Sequence, residues 1–215
     1  MNRDHSALIE TLVADLTPRS RPGQLAPRLA AWFGLALVFI ALVALVAGPR
    51  PDLATRIERV DEWLGFLSAL ATGLAAALAL AGTRRGGIAW WLPLPPLGVW
   101  LTSLGAGCYS DFLRLGPEGL RLGTSFHCTM MILAMSAPLA AGLAFIAGRA
   151  PALQRPTGLV LAALATASIS AAGLSLFHRL DTALMTLIWH LGTVAVLMLA
   201  TGVIGRRTAL APAGS

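Results

Sequence analysis

Few side chains in this 215-residue sequence are able to do chemistry. Cys108 and Cys128 are its two cysteines, and His127, His178 and His190 are three of its four histidines. Thiol and imidazole are the ligand types that soft and borderline metals prefer, and two thiols in an oxidising compartment can also pair as a disulfide. Asp111 and Asp181 fall near them and add carboxylate oxygen. His127, Cys128, His178, Asp181 and His190 therefore form a candidate site for a thiophilic metal ion, and Cys108 with Cys128 a candidate redox or sensing pair. There is no CxxC and no HxxxH, so neither spacing is diagnostic by itself. The alternative is a set of buried thiols and histidines with satisfied hydrogen bonds, and for His190 a structural hydrogen bond stands beside a ligand role.

The elements that must position these residues are membrane spans. With 56% hydrophobic and 12% charged residues and a mean hydropathy of +0.74, the composition lies far outside the soluble range. The apolar runs predict an all-α polytopic membrane protein with six transmembrane helices, over approximately Leu29–Gly48, Leu64–Gly82, Ile88–Ala106, Phe126–Ala147, Thr157–Phe177 and Thr182–Ile204. Residues 1–28 then form a cytoplasmic segment, 29–207 the transmembrane domain and 208–215 a cytoplasmic tail. The first apolar run follows about 28 residues with four arginines and precedes further spans, so it is expected to stay in the mature protein. Gly105–Cys128 reads as a short charged loop with a cysteine where each end meets an apolar run. Pro93, Pro95 and Pro96 fall inside the third span and predict a kink and a candidate hinge there. Gly65, Ala69, Gly73, Ala77 and Ala81 make a small-residue ridge along the second span, suited to close helix packing.

All sixteen basic residues are arginine, and they gather in ones and twos at the ends of apolar runs. The net charge of +6 is thus a topology signal and gives no sign of direct nucleic-acid binding. Ten of the sixteen lie on the side of the N-terminus, the 83–87 and 148–156 turns and the C-terminus, which predicts that both termini are cytoplasmic. Cys108, Cys128, His127 and His178 then lie at the periplasmic ends of spans, with His190 about two turns into the sixth. No acid or arginine is expected deep in a span, where each would cost roughly 2.5–3.5 kcal/mol, so an ion-coupled pump is poorly supported. No nucleophile elbow or phosphate loop points to an enzyme.

At the other end of the chain, Asp4–Leu16 has helical periodicity. Leu8, Ile9, Leu12, Val13 and Leu16 form one apolar stripe rimmed by acids. Such a helix can lie on the bilayer, but the acidic rim better suits a basic protein partner that takes the stripe into a groove. Pro18, Pro22, Gly23 and Pro27 end the helix and make an extended tether before the first span.

ALIETLVADL with its Pro-Arg tether, RPDL after the first span, SLGAGCYSDFLRLGPEGLRLGTSFHC and a late DTALMTLIWHLG together resemble the bacterial negative-regulator-of-sigma-F family. The most specific parts are Gly116–Gly119 followed by Gly123, Ser125 and Cys128, and the Trp189-His190 pair. The resemblance implies a six-span anti-sigma factor of the bacterial inner membrane that binds an extracytoplasmic-function sigma factor. It implies sigma binding through Leu8, Ile9, Leu12, Val13 and Leu16, and periplasmic stress sensing through Cys128. The family pattern leads one to expect a cysteine before the aspartate of the last outer loop, where this sequence has His178-Arg179-Leu180-Asp181. Cys108, or a mixed Cys/His metal site, would have to act with Cys128 instead. From other classes, the same residues leave open a small-solute or metal transporter and a haem- or quinone-binding redox protein that uses His190 and a second histidine.

Overall fold

The computed structural model describes residues 25–82, 89–147, 153, 155–178 and 182–210. Among them every regular element is helical. In chain order these are α1 (Leu25–Ala47), α2 (Leu53–Ile57), α3 (Val60–Gly82), α4 (Leu94–Leu115), a 3-10 turn (Gly116–Leu120), α5 (Phe126–Ala147) and α6 (Pro156–Ser175). A short α7 (Ala183–Thr186), a π turn (Leu187–Leu191) and α8 (Gly192–Leu210) follow. The Asp4–Leu16 stripe, its tether and Asp181 lie outside the described residues.

Among the described residues five helices are long and apolar enough to cross a membrane: Pro27–Ala47, Val60–Leu80, Phe126–Ile146, Pro156–Ser175 and Ala183–Arg207. The last joins α7, the π turn and α8 into one rod. α4 is as long, at 22 residues, but more polar, and here the structure departs from expectation. The three prolines do not interrupt a span. Pro93 caps α4, and Pro95 and Pro96 occupy its first turn, where a missing N–H leaves no bond unmade and the fixed φ already suits the helix. The candidate hinge in that span is therefore a helix start. The interior proline is Pro138, in α5.

α4 also runs on past Ala106 to Leu115, where Gly116 at φ 64° stops it. Gly105–Leu115 is thus helix and not loop, and Cys108 lies seven residues inside α4, while Cys128 keeps its place in the first turn of α5. The reason is periodicity. Ser103, Gly107 and Asp111 recur at every fourth position and are all buried, so Asp111, the acid that suggests a loop, faces protein.

α6 is the centre of the bundle and packs against α1, α3, α5 and α8. It can be central because it is built from small residues: Ala165, Ala167, Ser168 and Ser170 are fully buried, which lets neighbouring backbones approach. The ridge on α3 serves this packing, with Ala69 and Ala77 buried and a Cβ on Gly73 reaching within 2.8 Å of the Ala165 carbonyl oxygen. Some buried hydroxyls are satisfied locally or across helices, as in Thr72 to the Ser68 carbonyl (2.7 Å) and Ser136 to Ser170 (3.1 Å), whereas the buried Ser168 hydroxyl has no hydrogen-bond partner. α1 seats Ile40 over Gly173, and the Trp32 indole donates to the Leu139 carbonyl at 3.1 Å. Leu35, Val38, Leu42, Leu45, Phe145 and Leu199 face outward, an apolar surface suited to hydrocarbon.

Candidate functional site

One end of the bundle gathers the segment after α1, the first turns of α3, α5 and α7, the C-terminal part of α4 and the residues after α6. Its framework is polar. The Arg50 N–H donates to the Leu176 carbonyl at 3.1 Å, which ties the end of α1 to the end of α6. The buried Arg50 guanidinium holds Asp52 at 2.7 and 3.0 Å. Asp111, only 4% exposed, accepts from the Ala183 N–H at 2.8 Å and from Arg114 at 2.5 Å, and so fixes where the last rod starts. The Trp189 indole donates to the Gly123 carbonyl at 3.0 Å.

Two arrangements sit on this framework. The first joins Ser125, His127, Cys128 and His178. Cys128 is fully buried, with its sulfur 2.7 Å from Ser125 Oγ, and the same hydroxyl lies 3.4 Å from His178 Nε2. The His127 and His178 rings meet at a tilt of 55° with a centroid distance of 5.5 Å. Burial first, then the nearby His127 ring and the Arg50 guanidinium, hold the His178 imidazole below the usual histidine range. Thiol and imidazole are ligand types for soft and borderline metals, while the full burial of Cys128 is the setting of an unreactive thiol. Among the described residues, however, no three His, Cys, Asp or Glu side chains converge as a ligand set for a metal ion.

The second arrangement is a cleft between α3, α4, α6 and the last rod, lined among others by Asp61, Glu62, Ser103 and His190. His190 is 1% exposed, lies in the π turn, and its Nε2 has no hydrogen-bond partner. Asp61 is held by Arg59 at 2.5 Å, and its backbone carbonyl accepts from Ser103 Oγ at 3.1 Å.

Of the residues singled out from sequence, His127, Cys128 and His178 come together. His190 belongs to the cleft, and Cys108 is a free, half-buried thiol on α4. Leu8, Ile9, Leu12, Val13, Leu16 and Asp181 lie outside the described residues. Sequence reasoning missed Ser125 as the hydroxyl shared by thiol and imidazole, Arg50 as the tie of α1, and Asp61 with Glu62 as cleft acids. The available signal for the last pair was two adjacent acids directly before an apolar run.

Among the described residues every regular element is helical and five helices are long and apolar enough to cross a membrane, which is consistent with a helical membrane protein that carries thiol, imidazole and carboxylate groups at one end. The chain belongs to the negative regulator of sigma F family, whose family model matches residues 12–209. It is therefore a negative regulator of a sigma factor, with a sigma factor as partner. No curated protein and no solved structure matches it.

Proposed function

We propose that the protein is a multi-pass anti-sigma factor of the bacterial inner membrane, without enzymatic activity. In this reading it sequesters an extracytoplasmic-function sigma factor through its N-terminal helix and releases it under periplasmic redox or metal stress. The family match carries the anti-sigma role. The N-terminal stripe of Leu8, Ile9, Leu12, Val13 and Leu16 supplies an apolar ligand for a groove on the partner.

α4, the third span in chain order, brings the number of spans to six. At roughly 1.5 Å per residue its 22 residues reach about 33 Å, enough for a bilayer core. Its polar Ser103 and Asp111 are turned into protein, as intramembrane polar groups require. Six spans return both termini to one side, and the arginine bias makes that side cytoplasmic. The Ser125–His127–Cys128–His178 cluster then faces the periplasm, where oxidants or thiophilic metals reach it, with Asp181 and Cys108 as further groups.

The test is co-purification of the full chain with the sigma factors of its host. Leu12→Asp places a charge in the stripe and is expected to abolish retention, whereas Cys128→Ser is expected to keep retention but lose release by oxidants. Retention unchanged by Leu12→Asp refutes the N-terminal mechanism.

A further inference from the structure

His190 is a fully buried imidazole whose Nε2 lacks a partner. A buried polar atom left unpaired is destabilising, and π turns, which cost helix regularity, are frequent at functional positions. Both features fall on one residue, and that residue lines a cleft that also holds Asp61 and Glu62. The acids reject an anion. Among the described residues no ligand set for a metal ion exists, and Phe66 and Trp100 wall the same cleft, which suits a carbon body and a soft positive charge.

We propose that this cleft binds a small organic ammonium ion, its charged head between Asp61 and Glu62 and a hydroxyl or N–H of its body on His190 Nε2. The site is distinct from the thiol cluster. Arg59 now holds Asp61 at 2.5 Å, so an incoming ammonium competes with Arg59 for that carboxylate. Arg59 belongs to the segment that links α3 to the end of α1, and α1 leads to the N-terminal region. Ligand binding is independent of the anti-sigma reading; only its consequence for sigma-factor release rests on it.

The experiment is calorimetric titration of the purified full chain in detergent micelles with 4-amino-1-butanol and with butylamine. The hydroxyl-bearing amine is expected to bind saturably and at least about tenfold more tightly than butylamine, since only it can satisfy His190. That preference is expected to vanish in His190→Gln. Glu62→Gln is expected to weaken both amines, and Cys128→Ser neither. In the unaltered protein the amino alcohol is expected to raise the thermal midpoint, a readout that requires no variant to fold. Absence of saturable binding, a preference that survives His190→Gln, or full displacement by an equal concentration of magnesium chloride overturns the proposal. Sigma-factor retention measured without amine reports on the other reading separately.

Discussion

Gly73→Ala adds one methyl group at the tightest crossing in the bundle. The new Cβ would stand 2.6 Å from Ile169 Cγ1 and 2.8 Å from the Ala165 carbonyl oxygen, against the roughly 3.5–4.0 Å at which carbon atoms pack. Neither neighbour can give way alone. Ile169 is fully buried and β-branched, so its rotamer is nearly fixed in a helix, and the oxygen is backbone. α3 and α6 must therefore move apart, a kind of overpacking that costs about 1–3 kcal/mol. Better helix propensity returns about 0.5–1 kcal/mol, leaving a net loss of up to about 2.5 kcal/mol. Gly105→Ala is the internal control, because nothing lies within 4 Å of its Cβ position and only the propensity gain applies. Reversible unfolding by SDS in mixed micelles, followed by circular dichroism, measures both. Equal stability of the two variants would refute the reasoning.

Two further outcomes follow from burial and charge. Maleimide labelling of the native protein is expected to reach half-buried Cys108 well before fully buried, hydrogen-bonded Cys128, and the reverse order, read by mass spectrometry of Cys108→Ser and Cys128→Ser, contradicts the placement of both thiols. His178 is held below its ordinary value of 6.5, so the folded state favours the neutral ring more than the unfolded chain does. Stability is then complete above 6.5 and falls as the pH drops below it towards the lowered value. Thermal midpoints across that range are expected to lose part of this slope in His178→Gln, and an unaltered slope counts against the assignment.

The apolar runs made the class and most of the helices legible. Hydrophobic length is a direct consequence of bilayer thickness, and Phe126–Ala147 is recovered to the residue. α4 departs from expectation because its prolines suggest an interruption and its charges a loop. Both are local inferences, whereas Asp111 is decided by a partner 72 positions away, the Ala183 N–H. A shared face for the thiols and imidazoles is an expectation from alternating spans, which return every second loop to one side. Which members touch depends on side-chain packing that spacing does not encode, and so His127 and His178 pair with each other while His190 lines the cleft with Asp61 and Glu62.

The π turn at Leu187–Leu191 sets a phase. It holds one residue more than an α-helical turn would, and one residue is about 100° of rotation in a helix with 3.6 residues per turn. The tip, Ala183–Thr186, is fixed on Asp111 through the Ala183 N–H, while the body is fixed on α5 through Thr193 Oγ1, 3.0 Å from Thr129 Oγ1. Both anchors can be met at once only because the extra residue absorbs the angular mismatch between them. Deleting one residue from the turn would leave the rod straight and regular, yet twisted by about a quarter turn between its two moorings. One of them would then have to let go.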